Sequence, residues 1–406
     1  DRPENLDLLL SRELTTPFKT KEDFLSELEA QVLFEDIGLE EALDAMRRVR
    51  NGEVMRIGLN HLSGALTPEE VSAQMTHMAE AALHTAWKVA RGELKKTYTE
   101  PQGSKFAIIG LGSLGARELG LGSDLDIVFI YEPSAEGGGD KGGGEGTGEG
   151  GKKISEHEFY AKLCQRIITA LTVKTREGSV FEVDTRLRPS GSAGPLVVSL
   201  PAFIKYHSAS TALWERQAFI RARYVAGDEE LGRGAVAEVQ DLIYSYPLTE
   251  ADIKEMLAIR KRMEEEIARE SRDRYNFKTG RGALVDIEFL TQALQLRWGA
   301  KENKLRQPGT MEALLALVKG GHIDEADYDF LQRAYGFFRR IDMGQRIMHN
   351  RSETYLSRVD ERVSPLARAM GYGKDGEGEG KKLLEDYAAI TAGVREIYEK
   401  TLKGLP

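Results

Sequence analysis

Two aspartates one residue apart, Ser123-Asp-Leu-Asp126, precede the apolar run Ile127-Val-Phe-Ile-Tyr131. In an extended chain side chains alternate, so Asp124 and Asp126 project from one face. Val128 and Ile130 continue that face, while Ile127, Phe129 and Tyr131 belong to the other. Two like charges beside a core raise at least one carboxyl pKa unless a cation is present. A divalent metal resolves the conflict. Carboxylate, water and phosphate oxygens suit Mg²⁺, which commonly keeps only one or two protein carboxylates. The chemistry these residues suggest is metal-assisted work on phosphate.

The elements that must position them precede the pair. Phe106-Ala-Ile-Ile109 is a short apolar run ending at glycine and predicts a buried strand. Gly110-Leu-Gly-Ser113 reads as a tight turn opening a helical stretch through Arg117, Glu118 and Leu119. A small turn lets backbone N–H groups approach a phosphate, and a helix N-terminus favours an anion there. Gly112 and Ser113 are therefore the candidate phosphate contacts. Alone, an Asp-x-Asp pair is more often a loop or capped strand, and a glycine turn is equally weak. Together, turn, helix and Asp-x-Asp strand resemble the nucleotidyltransferase superfamily related to DNA polymerase β. The resemblance implies a third carboxylate on a later strand, and Val180-Phe-Glu-Val-Asp184 supplies it. The implied metal and catalytic set is Asp124, Asp126 and Asp184. In Thr185-Arg-Leu-Arg188-Pro189, Arg186 and Arg188 read as alternating on the side of Asp184. They either neutralise phosphate charge or form surface ion pairs.

Composition narrows the class. The 406 residues allow two or three domains, and 41% hydrophobic content can build real cores. Charged residues make up 30% and the net charge is -9, a balance that speaks against a basic nucleic-acid groove. A single cysteine, Cys164, excludes an internal disulfide framework and fits a reducing cytoplasm; its apolar helical context predicts a core position. No run is long and apolar enough for a membrane span, and no stretch reads as a signal peptide. The chain starts at Asp1 without a methionine and reads as a piece of something longer.

Three regions are expected: helices over 1–96 as a connector or docking region, a catalytic domain over 97–230, and a helical domain over 231–406. In the first, Ile57-Gly-Leu-Asn60 reads as a break. Thr67-Pro68 reads as the N-cap and first position of a long amphipathic helix, Val71 to Arg91. His77 and His84 lie two turns apart on it, too far to share a metal easily. In the second, residues 133–153 form a glycine-rich flexible insertion rather than a phosphate loop. Ile154 to Arg176 carries a stripe of Phe159, Leu163, Ile167, Ala170 and Leu171 that should cover the sheet. Thr211 to Arg223 reads as helical, with Trp214 and Phe219 as core; Glu215, Arg216, Arg221 and Arg223 face substrate or pair with one another. In the third, Asp252 to Arg272 predicts a solvated helix. Lys278 and Arg281 on a glycine turn are candidate phosphate contacts, or part of an ionic network that includes Asp286 and Glu288. Gly373 to Gly380 is a second loop, and Leu383 to Leu402 a closing helix.

The motifs between residues 106 and 289 resemble the bacterial glutamine synthetase adenylyltransferase family. They are Gly112-Ser113…Arg117-Glu-Leu119…Ser123-Asp-Leu-Asp126, Asp184-Thr-Arg-Leu-Arg-Pro-Ser-Gly191, Trp214-Glu-Arg-Gln-Ala218…Arg221-Ala-Arg223…Gly227-Asp228, and Gly280-Arg-Gly…Val285-Asp-Ile-Glu-Phe289. The resemblance implies an α+β fold, a polymerase-β-like nucleotidyltransferase domain flanked by helical domains. It implies AMP transfer from ATP to a tyrosine of glutamine synthetase with Mg²⁺, and PII signal protein and glutamine as effectors. Family enzymes carry two related halves, one adding AMP and one removing it with phosphate; the wording at Asp184 and Val285 resembles the adenylylating, C-terminal half. The glycine-rich insertion after Tyr131 departs from the family pattern. A non-catalytic regulatory module is the reading from another class, and the intact carboxylates count against it.

Overall fold

A computed structural model describes residues 18–32, 38–135, 151–209, 212–349, 353–373 and 378–405. The 136–150 part of the glycine-rich insertion and residues 374–377 lie outside them. The chain divides into two compact units. One comprises Asp1–Leu119, Ser123–Thr211 and Arg221–Leu242; the other comprises Gly120–Gly122, Ala212–Ile220 and Ile243–Pro406. The N-terminal helices therefore share a unit with the sheet, and the change of unit near residue 242 falls inside a helix rather than at 230.

In the first unit, α1 (Lys21–Val32), α2 (Leu39–Leu62) and α3 (Pro68–Lys95) come first. α3 starts where the sequence predicts. The Thr67 hydroxyl accepts from the Glu70 N–H at 3.2 Å, and the Glu70 carboxylate accepts from the Thr67 N–H at 2.8 Å. The expected break at Ile57–Asn60 is absent, because α2 runs through it. Gly58 costs a helix interior only about 1 kcal/mol, and buried contacts on either side offset that. Arg56 is buried with its Nε 2.7 Å from Glu53 and its guanidinium on Gln74 of α3.

The sheet is built around β1 (Lys105–Gly110), which pairs antiparallel with β2 (Leu125–Glu132) on one side and β5 (Arg223–Gly227) on the other. The far edge of β2 is shared by β3 (Val183–Asp184) and β4 (Val197–Ser199), both parallel to it. Between β1 and β2 stands α4 (Gly112–Gly115), a single turn. The helix α5 (Glu156–Thr172) buries the predicted stripe of Phe159, Leu163, Ile167, Ala170 and Leu171. The Tyr160 ring stacks on Phe106 with centroids 5.6 Å apart, closing the layer over β1. Cys164 is buried, as expected. The helix α6 (Leu200–Ala209) follows β4.

The expected helix from Thr211 to Arg223 is cut short. Among the described residues α7 spans Leu213–Ile220, and Arg223 opens β5. The pairing partner of β5 lies over a hundred residues away, so local periodicity could not reveal it. Phe219 is core, but Trp214 is 44% exposed. The helix α8 (Glu229–Ser245) continues from β5.

The second unit is mainly helical: α9 (Glu250–Arg262), α10 (Leu284–Trp298), α11 (Thr310–Lys319), α12 (Glu325–His349), α13 (Asp360–Ala369) and α14 (Glu379–Gly404). Two short strands, β6 (Arg274–Asn276) and β7 (Tyr355–Ser357), pair antiparallel. The predicted long charged helix is interrupted: after α9 a π-helical turn spans Met263–Ala268 and stops at Arg269, φ 43°. Asp286 sits at the centre of this unit with no exposed surface. Its carboxylate meets the Arg260 guanidinium, the Arg395 guanidinium at 3.2 Å and the Gly282 N–H at 2.8 Å.

Candidate active site

The turn after β1 lies against the Asp-x-Asp strand. The Leu111 N–H donates to the Asp126 carbonyl at 2.9 Å. Gly112 adopts φ +51°, and a Cβ there would lie 2.1 Å from Asp126 Oδ2. Only glycine fits, on grounds of both conformation and space. The helix expected to run to Leu119 ends after one turn, and Arg117 takes φ 61°, a conformation rare outside glycine. A one-turn helix has little macrodipole. An anion here would be held by the local N–H groups and the half-buried Ser113, not by a helix field.

Two of the carboxylates, Asp126 and Asp184, face each other across the β2–β3 pair. Leu125 faces Val183 and Asp126 faces Asp184 in parallel register, and the Leu125 N–H donates to the Glu182 carbonyl at 2.9 Å. In-register residues of neighbouring strands point to the same face about 4.8 Å apart. Asp126 and Asp184 therefore share a face, and exposed Asp124 leads into it from just before β2.

The two arginines do not alternate as expected, because β3 ends at Asp184 and a turn follows. Arg186 folds back: its N–H donates to Asp184 Oδ1 at 2.8 Å and its Nε to Oδ2 at 2.8 Å. That guanidinium holds the Asp184 carboxyl below its usual range. Asp184, then Asp124 and Asp126, push the Arg186 pKa up in turn, so all three carboxylates act on one cation. Arg186 itself is 76% exposed. Arg188 is committed to the turn. Its guanidinium donates to the Thr185 carbonyl at 2.8 Å, the Thr185 hydroxyl at 2.9 Å and the Gly194 carbonyl at 3.3 Å. Ser190 in the same turn has φ 63°. Two non-glycine residues with positive φ, Arg117 and Ser190, thus stand in the turns before β2 and after β3.

The donor set fits a divalent cation. Among the described residues no three His, Cys, Asp or Glu side chains gather into a ready-made cage. Mg²⁺ does not require one, since it retains waters and substrate oxygens beside one or two carboxylates. The Arg186 guanidinium already supplies positive charge at Asp184.

Lys278, Arg281, Asp286 and Arg216 belong to the second unit. Lys278 is exposed in the second unit, its N–H bonded to the Asn276 side chain at 3.1 Å. Arg281 pairs with Glu399 at 3.0 Å, and Asp286 is buried as described above, so the ionic-network reading holds for both. Arg216 donates to the Tyr246 carbonyl at 2.6 Å, which ties α7 to the end of α8. Glu80, buried on α3, escaped sequence reasoning; it meets Arg223 and Lys21. Its signal was a lone carboxylate inside the apolar run Met78-Ala-Glu-Ala-Ala-Leu83.

The model of the glutamate-ammonia ligase adenylyltransferase family matches residues 1–237, more than half the chain and the whole of the site just described. The chain belongs to this family. A model of the GlnD PII-uridylyltransferase family matches residues 257–402, within the helical second unit. Over 364 residues the chain is 32% identical to a bifunctional glutamine synthetase adenylyltransferase/adenylyl-removing enzyme of Nitrosococcus oceani. The match covers 88% of this chain and 36% of that protein, so this family member spans about a third of the relative's length. The α+β class expected from the motifs agrees with the fold. No helix among the described residues is long and apolar enough to cross a membrane.

Proposed function

We propose that this chain transfers AMP from ATP to a tyrosine hydroxyl of glutamine synthetase, releasing pyrophosphate in the cytoplasm. The carrying observation is the contact of three parts: Asp126 opposite Asp184 in parallel register, with Gly112 against the Asp126 carboxylate. A turn for phosphate and two facing carboxylates is what nucleotidyl transfer needs.

Asp124, Asp126 and Asp184 would hold Mg²⁺. When bound, the metal supplies Lewis-acid stabilisation of the phosphate oxygens. Gly112 and Ser113 orient the triphosphate through backbone N–H and hydroxyl. The tyrosine oxygen attacks the α-phosphorus, the bond to the β-phosphate oxygen breaks, and pyrophosphate carries away that electron pair. Asp184, kept ionised by Arg186, accepts the proton of the incoming hydroxyl. Arg186, exposed beside the carboxylates, offsets charge that develops on the phosphate oxygens. Arg188 contributes by fixing the turn that carries Arg186. PII protein and glutamine are proposed as effectors.

Phosphorolytic removal of AMP is the second reading. The relative is named for both activities and is nearly three times as long as the matched stretch. Incubating the chain with glutamine synthetase, Mg²⁺ and ATP labelled at the α-phosphate tests the first reading. Label on glutamine synthetase supports it. ADP formed from pre-adenylylated glutamine synthetase and phosphate, without transfer from ATP, would reverse the assignment.

A further inference from the structure

A one-turn helix does not hold itself. Nucleating a turn fixes several dihedrals for one hydrogen bond, and its terminal carbonyls need outside partners. In α4 the last two carbonyls are met by one side chain on β5. Arg223 Nη2 donates to the Leu114 carbonyl at 2.9 Å, and Nε donates to the Gly115 carbonyl at 3.1 Å. The turn also rests directly on the β5 approach, since a Cβ on Gly115 would lie 1.9 Å from the Arg221 carbonyl oxygen. The guanidinium is largely buried at 15% exposure, a position that requires compensation. Glu80 of α3 supplies it, with Oε1 2.5 Å from Arg223 Nη2. The other Glu80 oxygen takes Lys21 Nζ of α1 at 2.9 Å. One line of contacts thus runs from α1 and α3 through Glu80 and Arg223 to the turn bearing Gly112 and Ser113.

We infer that Arg223 is a positioning residue for the nucleotide, setting the Gly112–Ser113 turn against Asp126 and tying it to the N-terminal helices through Glu80. The inference rests on the nucleotide-transfer reading above. Arg223 touches neither substrate nor reacting atoms; it fixes the carbonyl end of the turn whose N–H end faces the phosphate. Loss of such a supporting contact commonly costs about 10–100-fold in affinity or activity. The helices of 18–96 thereby gain a role beyond docking, since a shift of α3 would move Glu80 and release the turn.

The test is titration of the full chain with Mg·ATP by calorimetry, for wild type, Arg223→Gln and Arg223→Lys, with thermal melts and Mn²⁺ binding alone as companions. Arg223→Gln is expected to bind Mg·ATP at least about tenfold more weakly while binding Mn²⁺ alone as wild type does. Arg223→Lys, which restores the charge beside Glu80 but cannot span both carbonyls, is expected to recover only part of the loss. In the transfer assay KM for ATP should rise with kcat retained, whereas a merely structural loss lowers kcat through the folded fraction and leaves KM unchanged. A folded Arg223→Gln with wild-type affinity would overturn the inference and leave the transfer reading intact. If Arg223→Gln fails to fold, Arg223→Lys decides by the same criteria. Absence of Mg·ATP binding by wild type would overturn the transfer reading and this inference together.

Discussion

Gly112 and Asp126 occupy touching positions on two consecutive elements: a methyl on the glycine would sit 2.1 Å from a carboxylate oxygen of the aspartate. The glycine turn and the Asp-x-Asp strand are therefore one structure. Gly112→Ala is expected to destabilise the fold by roughly 1–3 kcal/mol, the range for a non-glycine residue forced into a left-handed conformation, and to weaken nucleotide binding. In an Asp126→Ala background the same change should cost less, because the clashing carboxylate is gone. A double-mutant cycle on urea unfolding measures the coupling.

Asp126→Asn and Asp184→Asn should each reduce AMP transfer by on the order of 10²–10³, the usual effect of removing one preorganised electrostatic contact. Both side chains are half-buried rather than part of the core, so melting temperature should hardly change. Label transfer beside a circular-dichroism melt checks both halves of the expectation. Unaltered transfer in either variant removes that carboxylate from the mechanism.

Those carboxylates were legible because the signals are local. Period two puts Asp124 and Asp126 on one face, and a glycine turn reads directly from Gly110-Leu-Gly. The long α3 and the buried stripe of α5 were legible for the same reason. What sequence reasoning lost depends on distant partners. β5 looks helical until β1 pairs with it. Arg186 and Arg188 look like strand residues until β3 stops after two ladder positions and the chain turns. Gly58 looks like a break until Arg56 is seen buried between Glu53 and Gln74. Glu80 gains meaning only beside Arg223.

In the second unit the buried Asp286 answers two guanidiniums, Arg260 and Arg395. Asp286→Ala leaves both cations without that partner in a desolvated site, and should destabilise the chain by about 3–5 kcal/mol, the range for breaking a buried pair from one side. Chemical denaturation followed by circular dichroism is the check. A loss below about 1 kcal/mol would show the network to be dispensable.

His207 on α6 is buried against Phe203 and Tyr206, with ring centroids 4.7 and 5.3 Å away. Burial pushes its pKa down from 6.5 to about 4. The folded state keeps the ring neutral, while the unfolded chain takes up a proton below about 6.5. Stability is thus fully present above the unfolded value and is lost as pH falls from about 6.5 to about 4, by a few kcal/mol in all. His207→Phe should flatten that decline without changing stability much at pH 8. Urea melts at pH 8, 6 and 4.5 would show a parallel decline in the variant if the histidine were not responsible.

The direction of β2 has a practical consequence. The strand begins at the carboxylates and runs from Asp126 to Glu132, about 20 Å at the usual rise per residue. The glycine-rich stretch leaves the described structure after Ala135 and rejoins it at Gly151. Both attachment points are pinned at that far end, where the Ser134 hydroxyl donates to Glu156 and Tyr98 bridges to Lys152. These two points are thus set apart from the two ladder positions that join Asp126 to Asp184. A fluorophore or affinity handle attached at either point would therefore sit at the end of β2 remote from the candidate site.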